Sequence, residues 1–188
     1  MFNRTLFTVL LGLAFTGSFE TAEATSFRKM SHEEVVEASD LILRGTVMEI
    51  WTETSPSGVT WTRVQVEVEH LYKGELSSDV VIIDQMGGTM GGLTTRVEGA
   101  ARFSPDEEVL LFLDVNKAGY IQPIGMMNGK YTIMLDPHTR TEVLQRFAPS
   151  LSQPYDHRFI PLPNEAHRNT LSEMEAIIAG PRPTAGGK

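Results

Sequence analysis

Cysteine is absent from all 188 residues. No disulfide framework can therefore staple the fold, no thiol chemistry is available, and no lipobox cysteine can be acylated. Positive charge is scarce as well: 16 Lys and Arg stand against 24 Asp and Glu, a net charge of −8, with no basic cluster. Phosphate backbones and anionic lipid surfaces repel such a chain, so nucleic acid is not an expected partner. Long apolar runs are also missing. The uncharged, apolar-rich stretch over residues 6–15 is roughly half the length that a membrane-spanning helix needs.

That short run has a telling setting. Arg4 precedes it, Thr16, Gly17, Ser18 and Glu20 interrupt it, and Ala22-Glu23-Ala24 supplies a small-x-small cleavage pattern. The arrangement predicts a signal peptide over residues 1–24, and hence a bacterial periplasmic or secreted protein. Its removal takes away Arg4, Glu20 and Glu23, leaving 15 basic against 22 acidic residues, or −7, over 188 − 24 = 164 residues. That length suffices for one domain. No second long apolar run follows, so no integral span is expected after cleavage.

Catalytic signatures are missing too. Neither HExxH nor GxSxG occurs, and none of His32, His70, His138, His157 and His167 lies within four residues of another. No local zinc-binding pair exists, and neither metal nor cofactor is expected. His70 falls on the apolar phase of a strand, which predicts a core histidine. His32 in a helix cap and His138 in a turn are expected to be solvated. Glu67 and Glu69 alternate outward, and Asp106-Glu107-Glu108 reads as a charged turn.

What is present is a β pattern framed by two helices. Ser31-His32-Glu33-Glu34 is a capping box that opens a short helix to about Ser39. LILRGTVMEIW, the turn Ser55 to Gly58, and VTWTRVQVEVEHLY then make a long hairpin with a half-buried second strand. Further strands are expected at residues 80–83, 109–115, 120–124, 130–135 and 141–144. The nearly continuous VLLFLDV suits a strand buried on both faces. Beyond Phe147, Pro149, Pro154, Pro161 and Pro163 predict an extended arm. Thr170-Leu171-Ser172-Glu173 caps a second helix, which Gly180 and Pro181 stop, and residues 181–188 should be disordered. The expected domain is a mainly β, antiparallel, OB-like barrel of about five core strands over residues 25–147, followed by the arm and helix of residues 148–180. A sandwich is the alternative.

The sixteen residues QMGGTMGGLTTRVEGA carry glycines at 87, 88, 91 and 92. This spacing does not match GxGxxG, and no Lys-Ser/Thr follows, which excludes a dinucleotide cradle and a P-loop. A glycine-rich connection or bulge between strands remains, with positive φ available and Gly99 at the next corner. It also suits a binding loop in which Met86 and Met90 are adaptable apolar contacts. Trp51 and Trp61 bracket the turn of the long hairpin and could pair across strands or form an exposed platform. Trp51, Trp61, Met86, Gly88, Met90 and Gly91 are therefore the candidate binding residues.

DLILRGTV, VEHLYKG, MGGTMGGLTTRVEGAARFSPDEEVLLFL and MNGKYTI, taken together, resemble an uncharacterised family of exported bacterial proteins. Its members share a Gly-Gly stretch, an F-x-P-G-E-x-V-L-L-F-L segment and a G-K-Y/F strand. The resemblance spans residues 40–135, with Asp106 where the pattern often has glycine. The front half also distantly resembles the netrin-like OB barrels of tissue metalloprotease inhibitors, which would imply a protease-binding module. Those inhibitors chelate zinc through an N-terminal cysteine, so only the barrel carries over. Three functions stand open: a non-enzymatic exported module binding a protein or envelope partner, a hydrolase using His70 or His157 with a carboxylate, and a structural subunit of an envelope assembly. An assembly subunit would expose a contiguous apolar patch of several hundred Å².

Overall fold

The computed structural model describes residues 30–146 and 169–180, and the backbone pairing of β1 (Phe27–Arg28). The expected signal peptide, the tail 181–188, His157, His167 and the arm of residues 148–168 lie outside the described residues, save the two residues that pair with β1. Helix α1 (His32–Ala38) begins at Ser31 with both bonds of the capping box: the Glu34 amide donates to Ser31 Oγ at 3.2 Å, and the Ser31 amide to Glu34 Oε2 at 2.8 Å. The long hairpin follows as β2 (Leu41–Thr54) and β3 (Thr60–Lys73). After β4 (Val80–Met86) come the short β5 (Gly88–Met90) and β6 (Leu93–Thr95). Next are β7 (Glu108–Val115), β8 (Ile121–Pro123), a 3-10 turn (Met126–Gly129), β9 (Lys130–Leu135) and β10 (Glu142–Gln145). Finally β11 (Pro154–Tyr155) pairs with β1, and β12 (Asn169–Thr170) leads into α2 (Leu171–Ile178), where the Thr170–Glu173 capping box also forms in full.

The fold class read from the sequence holds: a mainly β protein with an antiparallel sheet, a short helix before it and another after it. The main sheet runs β12-β10-β9-β7-β2-β3-β4, with β8 also on β7. Strand alternation sends Leu43, Val47, Val64, Val66, Ile83 and Leu111 to one core, and Ile42, Leu110, Phe112, Tyr131 and Leu144 to a second. Helices α1 and α2 cover the second core with Val35, Leu171 and Met174. The layer opposite the sheet is thus helical, not a second sheet. β7 feeds both cores, and Val109 through Leu113 are fully buried, as the VLLFLDV run predicted.

Strands β8-β7-β2-β3-β4 curl until β4 lies beside β8, yet among the described residues no ladder joins those two and the barrel stays unclosed. The reason lies in β8. Bonds from the Ile124 amide to Phe112 O (2.9 Å) and from the Asn116 amide to Tyr120 O (3.0 Å) turn residues 120, 122 and 124 toward β7. Ile121 and Pro123 are left on the outer edge, and proline has no amide to give. The one outward amide, Ile121, donates to the side chain of Asp84 at 2.9 Å instead of to a β4 carbonyl.

Candidate functional site

At the end of β4 the chain must reverse twice within a few residues, and the glycines permit it. Gly88 has φ 137°, and a Cβ there would lie 2.6 Å from Thr62 Oγ1 and 2.8 Å from Thr52 Cγ2. Only a residue without a side chain lets the hairpin seat on the long strands. Gly91 and Gly92, with φ 58° and 80°, form the two-residue turn between β5 and β6. Positive φ at both central residues is what a type I′ hairpin turn requires. The stretch is therefore a glycine-rich strand connection, as expected, and it carries two short strands of its own.

The hairpin seats at its base and is bare at its tip. Thr62 Oγ1 donates to Gly87 O at 2.8 Å. Met90 and Leu93 are cross-strand partners at the tip, 40% and 79% exposed, and Met86 at the base is 54% exposed. Between the hairpin, the segment of residues 96–103 and the inward-facing Ile50, Thr62 and Val64 lies a cavity of about 320 Å³. Met86 also borders a smaller cavity of about 120 Å³ with Val97, Pro123 and Met126.

The six sequence candidates do not share one face. Gly88, Met90 and Gly91 belong to the hairpin, whose base meets the Thr52 and Thr62 side of the sheet. Trp51 and Trp61 alternate to the other side, opposite Arg63 and Glu53 respectively, so they are diagonal rather than direct partners. Trp61 also lies opposite Met86. The Trp61 ring stacks on Tyr120 at 4.9 Å, and Trp51 Nε1 donates to Glu53 at 3.4 Å. Sequence reasoning missed Tyr120, which the β7–β8 turn brings over Trp61. It also missed Asp84, 4% exposed, which pairs with Arg63 and accepts the Ile121 amide. Alternation along β3 and β4 would have placed Arg63 and Asp84 side by side, but the strand pairing itself is not visible in the chain.

The histidines need two corrections, at His70 and at His32. His70 is exposed, not in the core. Register shifts skip Glu69 and Tyr72, and each such bulge reverses the strand's facing. Leu71 takes the core side, while the His70 ring rests 4.3 Å from that of Tyr72. Burial and a 2.6 Å hydrogen bond to Glu175 hold the Tyr72 hydroxyl protonated well above its ordinary range. His32 is part-buried against Tyr131 and Asn169, and His138 is exposed in its turn. No group of three His, Asp or Glu among the described residues could hold a metal ion.

Two of the segments quoted for the bacterial resemblance, residues 86–113 and 127–133, meet around one buried cation. Lys130, 3% exposed, pairs with Glu107, donates to Thr132 Oγ1 at 2.8 Å and lies 5.5 Å from the centre of the Phe103 ring. Burial pulls the Lys130 pKa down, and Glu107 opposes that pull. Glu107 is thus an ion-pair partner, not merely part of a charged turn. No helix among the described residues is long and apolar enough to cross a membrane. The chain matches no known protein-family model and no curated protein sequence.

Proposed function

We propose that this protein is a non-enzymatic binding module, exported to the periplasm or beyond, that holds a protein or envelope partner through its glycine hairpin. One observation carries the reading. Met90 and Leu93 are held out at the tip of a hairpin whose base is anchored, and Met86 stands exposed beside it. Exposed apolar side chains cost nothing to stability, but a cross-strand pair of them on a projecting turn forms a ready contact. The cavities beside Met86 give a partner's side chain somewhere to enter. Localisation rests on the leader-like residues 4–24.

Envelope extract passed over immobilised protein is the direct test, repeated with Leu93→Ser and Met90→Ser. A captured partner that rebinds after purification and is lost with both variants supports the hairpin as the contact. Capture that survives both substitutions rules the hairpin out.

A further inference from the structure

The cavity beside the glycine hairpin has a floor and a rim of different chemistry. Ile50 and Val64 line it from the sheet, and Ala101 and Phe103 from the segment opposite. Val64 and Ala101 are buried, while Ile50 and Phe103 pack on the first core. The floor is therefore apolar. On the rim stand Arg96 and Arg102 with a single carboxylate, Glu98, all three exposed. The rim thus carries the opposite sign to the chain, whose net charge is −8. Ion pairs among the described residues engage Arg44, Arg63 and Lys130, and Arg96 is in none of them.

Both walls are tied in place. Thr62 Oγ1 donates to Gly87 O at 2.8 Å on the hairpin side, where Gly88 seats against Thr52 and Thr62. On the other side the Ala100 amide donates to Val97 O at 3.2 Å, and the Met127 amide to Gly99 O at 2.9 Å. A site built this way binds without first ordering its own loops. Its volume is about 320 Å³. At roughly 30 Å³ for each water-sized group, that is room for at least about ten non-hydrogen atoms. One apolar amino-acid residue with a free carboxylate is of this size.

We infer that the cavity takes the C-terminal residue of a partner polypeptide, with its apolar side chain on Ile50, Val64 and Phe103 and its terminal carboxylate on Arg96. A guanidinium meets a carboxylate with two parallel N–H donors. Within a polypeptide, only the terminus carries a carboxylate and an apolar side chain on the same carbon. Glu98 repels a second carboxylate, so an acidic residue next to that terminus is disfavoured. Thr94 and Thr95 of the hairpin also line the cavity, so a partner seated on Met90 and Leu93 lies close to it. The proposal rests on the binding-module reading and names the end of the partner that is held.

The test titrates the full chain with acetyl-Ala-Ala-Leu bearing a free C-terminus, followed by NMR at the amides from Val97 to Ala101. Saturable shifts are expected there, and the same peptide with an amidated C-terminus should bind about tenfold more weakly. Arg96→Gln, at an exposed position, should lower the affinity of the acid to that of the amide. Absence of shifts, or equal affinity of acid and amide for the wild type, overturns the proposal. An advantage of the acid that survives Arg96→Gln overturns it too. So does octanoate binding as tightly as the peptide acid, which would assign the cavity to small apolar carboxylates. Leu93→Ser should bind the peptide as the wild type does, so failure of the hairpin contact and failure of the cavity can be told apart.

Discussion

Strand β7 and the β5–β6 hairpin are both short and both carry apolar side chains, but the fold uses them in opposite ways. In β7, five consecutive residues disappear into two cores, each contact reinforced by a neighbouring strand on both sides. In the hairpin, every residue of β6 is exposed and the two strands pair only with each other. The first region holds the molecule together. The second is held by it, and its apolar residues are free to meet something else. Substitutions in the two regions should therefore separate stability from binding.

The largest effect is expected at Phe112, which is fully buried and sits 5.6 Å from the Tyr131 ring. Phe112→Ala should cost about 4 kcal/mol of unfolding free energy in a denaturant titration; a cost like that of a surface change would break the comparison at its strong end. Next comes Glu107→Ala, which strands a buried ammonium and should cost about 3 kcal/mol, whereas Glu107→Leu combined with Lys130→Met should cost far less. The same lysine makes a pH prediction. Between its lowered native pKa and the ordinary 10.5, the unfolded chain keeps a proton that the native chain has released. Stability from this group therefore rises with pH across that window. Denaturation midpoints should climb more steeply there for the wild type than for Lys130→Met.

The hairpin effects are smaller and graded by position. Gly88→Ala meets both a positive φ and the side chains of Thr52 and Thr62, and should cost about 2 kcal/mol. Gly91→Ala has a φ of 58° but open space around it, and should cost only about 1 kcal/mol. Thermal unfolding of the pair separates seating from turn strain; equal losses would mean that the base is no better anchored than the tip. Smallest of all, Leu93→Ser should change stability by less than about 0.5 kcal/mol while removing the proposed contact.

Local signals in the sequence were read well because their physics is local. Ser31 and Thr170 each stand three residues before a glutamate, and both boxes close. Five apolar residues in a row at Val109 could not be shared with solvent on either face. The glycine pairs required positive φ wherever the chain turned back. Non-local features escaped. Strict alternation from Val64 placed His70 inward, because nothing in VEVEHLY marks the residues that the ladder skips. Pro123 at an outward edge position, which keeps the barrel unzipped, acquires that meaning only once β7 and β8 are in register. The site divides the same way: the hairpin was found from its glycines, whereas the Arg63, Asp84 and Tyr120 group comes from two strands and a turn.

Helices α1 and α2 share one core, and His32 touches Asn169 across 137 positions of chain. That pairing sets an order in time. Val35 and Ile42 cannot be covered until Leu171 and Met174 have been made, which at about 5–20 residues per second delays them by on the order of ten seconds. Until then the second face of β2 and β7 is an open apolar surface with only half its roof. A chain emerging from a ribosome would thus remain incompletely folded until α2 arrived.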